Sequence, residues 1–285
     1  MVELGTIHLK DLKECMAGFS DWILTNESSI RLWFFLAGFI SFFLMGLIVP
    51  FRQVSHKKML NRWLNNSILT FFNSFLLKLL MPFTIIFVAQ KFSTFGLFSY
   101  LEGPLIIKII LGAVLLDFII YWQHRMFHVV PFFWRLHRVH HSDTEFDVTT
   151  ALRFHTLEII MSYFIKVTIV VALAVPVEAV IIFEVTLNFC AMFNHGNYKL
   201  PIFLEKYTRY LIVTPSMHRV HHSVIVSETN SNYGFCLSVW DRMFGSYIDK
   251  PKSDPEAMLI GVENYRAAAE DQLVNLLTQP FRKEK

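Results

Sequence analysis

The chain has 285 residues, 54% of them apolar and 17% charged, which is too little charge for an ordinary water-soluble domain of this size and makes a membrane protein the first reading. A formal net charge of +3 is too small to argue for a nucleic-acid partner. Cys15, Cys190 and Cys236 have no paired spacing, which excludes a zinc ribbon or a disulfide framework.

Residues 1–29 are mixed polar and acidic, with no basic start leading into an apolar core, so no cleavable signal peptide is expected and the N-terminus should stay on the mature protein. Apolar stretches near the roughly 20 residues needed to cross a bilayer follow at about 30–49, 68–89, 105–123, 158–175 and 177–194. The first has no charge for eighteen residues. The second contains Lys78 and Pro82, the third Lys108 and Asp117, the fourth Lys166 and the fifth Glu184, and each charge weakens its span. Pro176 separates the last two with almost no polar linker, which predicts a tight helical hairpin that need not cross fully. The connection after the first span carries Arg52, Lys57, Lys58 and Arg62 without an acid, which puts it in the cytosol. Every histidine-bearing span end then falls on the cytosolic face, although histidine took no part in the count. Residues after 196 read as a cytosolic cap. Residues 264–277 are predicted to be one amphipathic helix, with Leu273, Leu276 and Leu277 on its apolar side and Pro280 stopping it.

Histidine is the outlier, with 12 residues of which only His8 and His56 lie outside 124–222; those two are read as surface residues. His124 and His128, in "HRMFH", are one helical turn apart. "HRVHHS" occurs twice, so His137, His140, His141 and His218, His221, His222 both take the spacing i, i+3, i+4, and each triplet can present three imidazoles from one turn. Adjacent imidazolium charges repel, whereas neutral imidazole is a common metal ligand. Three or four ligands satisfy one ion, so eight to ten suggest two. His155, in "RFHTLE", and His195, in "FNHGN", stand at span ends of the same depth and are added to the ligand set. Asp117 and Tyr121 share a helix face with His124. Asp117 is either a carboxylate that orients a ligand imidazole or a membrane-boundary acid paired with Arg or Lys, and Glu158 is either such an acceptor or a helix-start acid. Zinc hydrolysis is disfavoured because no H-E-x-x-H occurs and three ligands with a water would suffice. Membrane haem would want facing histidines inside two spans, and metal transport would want ligands at mid-membrane.

"HRMFH", "HRVHH" and "HRVHH", in that order and joined by a helical hairpin, resemble the fatty acid hydroxylase and sterol desaturase superfamily of membrane di-iron oxygenases. "FHTLE", "NHGN" and "NYGFCLSVWDRMFGSY" are similar too, so the resemblance covers roughly residues 105–250. "DFIIYWQHRMFH" and "TTALRFHTLE" look closest to bacterial sterol desaturase-like proteins and alkylglycerol monooxygenase. The resemblance implies an all-α integral membrane protein of four to five transmembrane or membrane-embedded helices, with a cytosolic helical cap carrying a histidine-ligated dimetal site. It divides the chain into an N-terminal segment (1–29), a membrane-embedded catalytic domain (30–250) and a cytosolic tail (251–285).

The implied activity is an oxygen-dependent oxidation of a lipid C–H bond, by hydroxylation or desaturation of a sterol, fatty acyl or alkyl-ether lipid. The implied cofactors are two iron ions, with O2 as co-substrate. Twenty-nine residues before the first span cannot fold a fused cytochrome b5 domain, so electrons are expected from a separate donor: a cytochrome b5-like protein, a ferredoxin or a reduced pterin. The host membrane is a bacterial inner membrane or the endoplasmic reticulum, the C-terminal "RKEK" weakly resembling a retrieval signal. The competing reading is a catalytically silent metal- or lipid-binding membrane scaffold, against which the completeness of all three histidine clusters argues.

Overall fold

The computed structural model describes the backbone of residues 3–53 and 56–283 and the side chains of residues 14–53 and 59–283, so the side chains of His8 and His56 lie outside the described residues. Helix α1 (Glu3–Thr25) turns at Asn26 into α2 (Glu27–Ile48). Helices α3 (His56–Leu80) and α4 (Ile85–Lys91) belong to one apolar run, interrupted where Pro82 has no N–H to continue the helix; Thr84 restarts it by accepting a hydrogen bond from the Phe87 N–H. After the single turn α5 (Leu97–Tyr100) come α6 (Leu105–Val129) and α7 (Pro131–His141), separated by Val130 alone. Helices α8 (Thr156–Leu173) and α9 (Val177–Asn194) form the tight hairpin that Pro176 predicts, with Ala174 in the left-handed region at φ 50°. Short helices complete the chain: α10 (Ile202–Thr208), α11 (Pro215–His221), α12 (Val226–Thr229), α13 (Val239–Met243) and α14 (Leu273–Thr278). Among the described residues there is no strand, only three isolated bridges.

Five segments are long and apolar enough to cross a membrane: Glu27–Ile48, Met59–Lys91, Leu105–Val129, Thr156–Leu173 and Val177–Asn194. They match the five expected from sequence and fit a multi-pass membrane protein. Helix α9 is the hub, with 56% of its most apolar window buried against 11% for α2. Close approach to it depends on glycine. A Cβ on Gly112 would meet the Ala179 Cβ at 2.9 Å, so α6 can lie this close to α9 because that position lacks a side chain, and one on Gly38 would crowd the Phe189 ring of α9 at 3.0 Å. The segment 1–29 is not detached: Ile23 of α1 is buried with Ile85, Ile109 and Ala179.

The non-membrane end is tied to the spans by buried charge. Arg62, near the start of α3, is fully enclosed and donates to Asp143 at 2.7 Å and to Asp147, both in the loop after α7. Arg153 extends the cluster to Asp271 at 2.6 Å. Burial alone would raise the Asp143 carboxyl, but Arg62 and Arg153 hold it down to about 2.

The single helix expected at 264–277 is broken into turns at Glu263–Tyr265 and Ala268–Asp271, followed by α14. The continuous helix loses to tertiary contacts: Asp271 is held by Arg153, and the Leu273 N–H is taken by the Asn65 side chain. The apolar side is as expected, since Leu273, Leu276 and Leu277 pack on Leu69 and Val139. Replacing Asp143 by Asn leaves Arg62 buried beside one acid fewer and is expected to cost about 3–5 kcal/mol, read as a lower melting temperature of the detergent-purified protein; an unchanged melting curve would contradict the tie.

Candidate metal centre

Nine imidazoles converge at one end of the spans. Helix α6 contributes His124 and His128 from its last two turns. Helix α7 contributes His137, His140 and His141, and His195 is the residue that ends α9. Helix α11 contributes His218 and His221, with His222 as its terminating residue. The two "HRVHHS" copies are short helices started the same way, by a proline at the first turn, Pro131 and Pro215, the latter behind a Thr214 cap. Each presents its histidines inward and its arginine sideways onto another segment. Arg138 donates to the Gln279 carbonyl at 2.6 Å and lies over the Tyr265 ring; Arg219 donates to the Gly196 carbonyl and lies 3.9 Å from the centre of the Phe51 ring.

The imidazoles form two groups whose ligand atoms lie within 4.8 Å of one another: His124, His128, His137, His141 and His221 in one, His140, His195, His218 and His222 in the other. All nine are buried. His141 and His222 stack at 4.3 Å and join the groups.

The hydrogen bonds behind the rings decide what the inner nitrogens are. His124 donates from Nδ1 to the Tyr233 carbonyl (2.8 Å), His195 to the Ala191 carbonyl (2.6 Å) and His221 to the Ser231 carbonyl (2.6 Å); a carbonyl can only accept, so each Nδ1 carries the proton. His137 donates from Nδ1 to the Glu158 carboxylate at 2.6 Å. In a neutral ring protonated at Nδ1, Nε2 is a bare lone pair. Yet the Nε2 atom of His124 faces that of His137 at 3.0 Å and that of His221 at 3.1 Å. Two facing lone pairs repel unless a cation lies between them. Separations near 3 Å are also what two imidazoles at right angles on an ion with bonds of about 2.0–2.1 Å would show. Both ring nitrogens of His141 and of His222 are buried without a hydrogen-bond partner. The donor set thus fits two transition-metal ions, which imidazole suits.

Electrostatics point the same way. Burial, reinforced by neighbouring imidazoles, pushes His140, His141, His218 and His222 well below their ordinary value. Burial takes His195 down to about 4 and His221 to about 3 against the help of their carbonyl partners. Burial thus disfavours the charged form of these six rings and leaves them ready to ligate. The C-terminal ends of α6, α7, α9 and α11 all meet here, and their partial negative charge favours a cation.

His155 is not in either group. Its Nδ1 accepts from the Leu157 N–H at 3.2 Å, so it caps α8, and its Nε2 donates to the Leu277 carbonyl. This cap starts the helix that brings Glu158 to His137, so Glu158 is both a first-turn acid and the acceptor behind an imidazole. Asp117 takes neither of its expected roles: it accepts from the Cys236 and Leu237 N–H groups and from Trp240 Nε1. It steadies the loop whose Tyr233 carbonyl orients His124. Tyr121 hydrogen-bonds Ser246 at 2.9 Å rather than an imidazole. The carbonyls of Ala191, Ser231 and Tyr233 had no sequence signal, because every residue has one.

A family model described as "Fatty acid hydroxylase" matches residues 109–246. Residues 109–246 are thus similar to a fatty acid hydroxylase domain. All nine clustered histidines fall inside the matched residues, which agrees with the resemblance over 105–250. An ornithine lipid hydroxylase from Rhizobium tropici is 28% identical over 64% of this chain and 53% of its own. An alkylglycerol monooxygenase from Xenopus tropicalis is 34% identical over 46% of this chain and 28% of its own. A very-long-chain aldehyde decarbonylase from Oryza sativa is 24% identical over 70% of this chain and 30% of its own. The chain thus spans about half the length of the first relative and under a third of the other two. No solved structure matches the chain.

Two measurements test the site. Glu158→Gln keeps a partner for His137 but removes the charge, and is expected to weaken metal binding by about 10–100-fold in a competition titration with a coloured chelator; unchanged affinity would show that the carboxylate is irrelevant to the ring. In metal-stripped protein, the depressed histidines bind protons only after unfolding once pH falls below about 6.5. Stability should therefore fall from there towards pH 4, by about 1.4 kcal/mol per pH unit for each such histidine; a flat melting temperature across that window would refute the neutral cluster.

Proposed function

We propose that this protein is an oxygen-dependent di-iron oxidoreductase that hydroxylates or desaturates a C–H bond of a lipid. The observation that carries the reading is a cavity of about 680 Å³ between the membrane helices, walled by Phe35, Phe39, Phe71, Leu77 and Phe154, into which His124 and His137 both open. A polar catalytic cluster at the end of an apolar tunnel suits a substrate that is mostly hydrocarbon. The relatives named for hydroxylating or oxidising lipids support the same reaction class.

His124, His128, His137, His141 and His221 would hold one ion, and His140, His195, His218 and His222 the other. When bound, the iron pair would supply the activation of O2, with two electrons and two protons from outside: in hydroxylation one oxygen atom enters the product and the other leaves as water, whereas in desaturation both leave as water. The chain supplies position and dryness. Phe35, Phe39 and Phe71 keep water from the acyl or sterol body. Glu158 keeps His137 in the tautomer that aims Nε2 inward, and Phe154, stacked 4.3 Å from His140, fixes that ring. Tyr233, Ser231 and Ala191 do the same for their partners through backbone oxygens.

The site is assigned to the cytosolic face of a bacterial inner membrane or the endoplasmic reticulum. Arg52, in the basic connection after α2, donates to the Glu256 and Met258 carbonyls, which supports the cap and that connection sharing one side. The electron donor is a separate cytochrome b5-like protein, a ferredoxin or a reduced pterin. The scaffold alternative gains no support from nine intact imidazoles.

Elemental analysis of gently purified protein from iron-supplemented cells should give about two irons per chain, and His140→Ala or His221→Ala should abolish the lipid product seen with the parent. Full iron content together with a lipid profile unchanged by these substitutions would return the scaffold reading.

A further inference from the structure

One cluster in the spans has no part in the metal centre. Lys166 of α8 donates to Glu184 of α9 at 2.5 Å, and Arg31 of α2 donates to the other oxygen of the same carboxylate at 2.7 Å. Two cations share one acid, which leaves surplus positive charge inside the membrane region. Ionisable groups at such depth are costly and tend to mark a binding function. Lys166 and Glu184 line the same cavity as His124 and His137, and Lys166 is the one basic side chain among the described residues that line it.

Two helices fix how far this charge lies from the histidines. Glu158, Ser162 and Lys166 are spaced i, i+4, i+8 on α8 and all line the cavity, so Lys166 lies roughly 12 Å along the helix from Glu158, the partner of His137. Glu184 lies eleven residues before His195, roughly 16 Å along α9. A ligand filling the cavity would span the imidazoles at one end and a cation at the other.

We propose that this cavity binds an anionic amphiphile, with its carboxylate or phosphate on Lys166, whose acid partner Glu184 is also engaged by Arg31, and its chain reaching towards His124 and His137. The surplus charge then acts as a ruler, selecting an anionic group and setting the oxidised position well along the chain from it. This rests on the lipid-oxidation reading for the consequence but not for the binding.

The test uses the full-length protein in nanodiscs of uncharged lipid, with a photoactivatable long-chain fatty acid as probe and peptide mapping of the label. Unlabelled fatty acid, its methyl ester and the monoalkyl phosphate compete. The free acid or the phosphate should compete at about tenfold lower concentration than the ester, with label on α8 and α9, and whichever anion is stronger names the group. Lys166→Met should bring acid and ester level, and Lys166→Arg should preserve the difference. If Lys166→Met fails to fold, Glu184→Gln serves instead: it removes the competing acid and should increase the preference for anions, which a merely structural ion pair would not do. Equal competition by acid and ester in the unaltered protein overturns the proposal even where that protein oxidises an uncharged lipid. Labelling confined to the outer surface, in protein without lipid turnover, overturns both readings.

Discussion

The fold is organised around burying nine imidazoles with too few hydrogen-bond partners among themselves. An uncompensated buried polar group is costly, and here several ring nitrogens face one another as lone pairs. Protonation cannot relieve this, because adjacent charges at such depth would repel more strongly still. A bound cation relieves all of it at once. The surrounding structure makes sense as support for that cation: carbonyls and one carboxylate hold the outer nitrogens, four helix C-termini supply partial negative charge, and a buried Arg62–Asp143–Asp147 cluster fixes the loop after α7.

Much of this was legible because helical periodicity is written directly in residue spacing. The three clusters and the five spans needed nothing more than i, i+3, i+4 and the length of apolar runs. His195 and His155 looked alike from sequence, each a single histidine at a span end, yet only His195 joins the others. The difference is local: His195 ends a helix and turns inward, whereas His155 precedes Thr156 and is used to start one. Roles that depend on backbone oxygens, such as those of Tyr233 and Ser231, have no letter to read. Asp117 was found but its partners were not, since Cys236, Leu237 and Trp240 lie about 120 positions away. The broken helix at 263–278 shows the same limit, because its amphipathic pattern is right about which residues are buried and silent about what competes for its ends.

The membrane helices and the metal centre also place opposite demands on the chain. Glycine at positions 38 and 112 lets α2 and α6 close on α9, while the neighbouring space among α2, α3, α6, α8 and α9 stays open enough to hold a lipid body. Tight packing is concentrated on one hub, and the cavity occupies the flank the hub leaves free. Rigid placement of His195 at the end of α9 and an open cavity beside it can thus coexist in one small bundle.

The sideways arginine of the first "HRVHHS" bears on how the protein matures. Arg138 is clasped by the Gln279 and Arg282 carbonyls, made some 140 residues later, and its helix also leans on Leu276 through Val139. The spans can enter the bilayer one after another as the ribosome proceeds, but the helix that carries three of the nine histidines has its seat completed only by residues made some 140 positions later. A nascent chain stalled short of this clasp would therefore leave the three histidines of α7 without the seat that shields them.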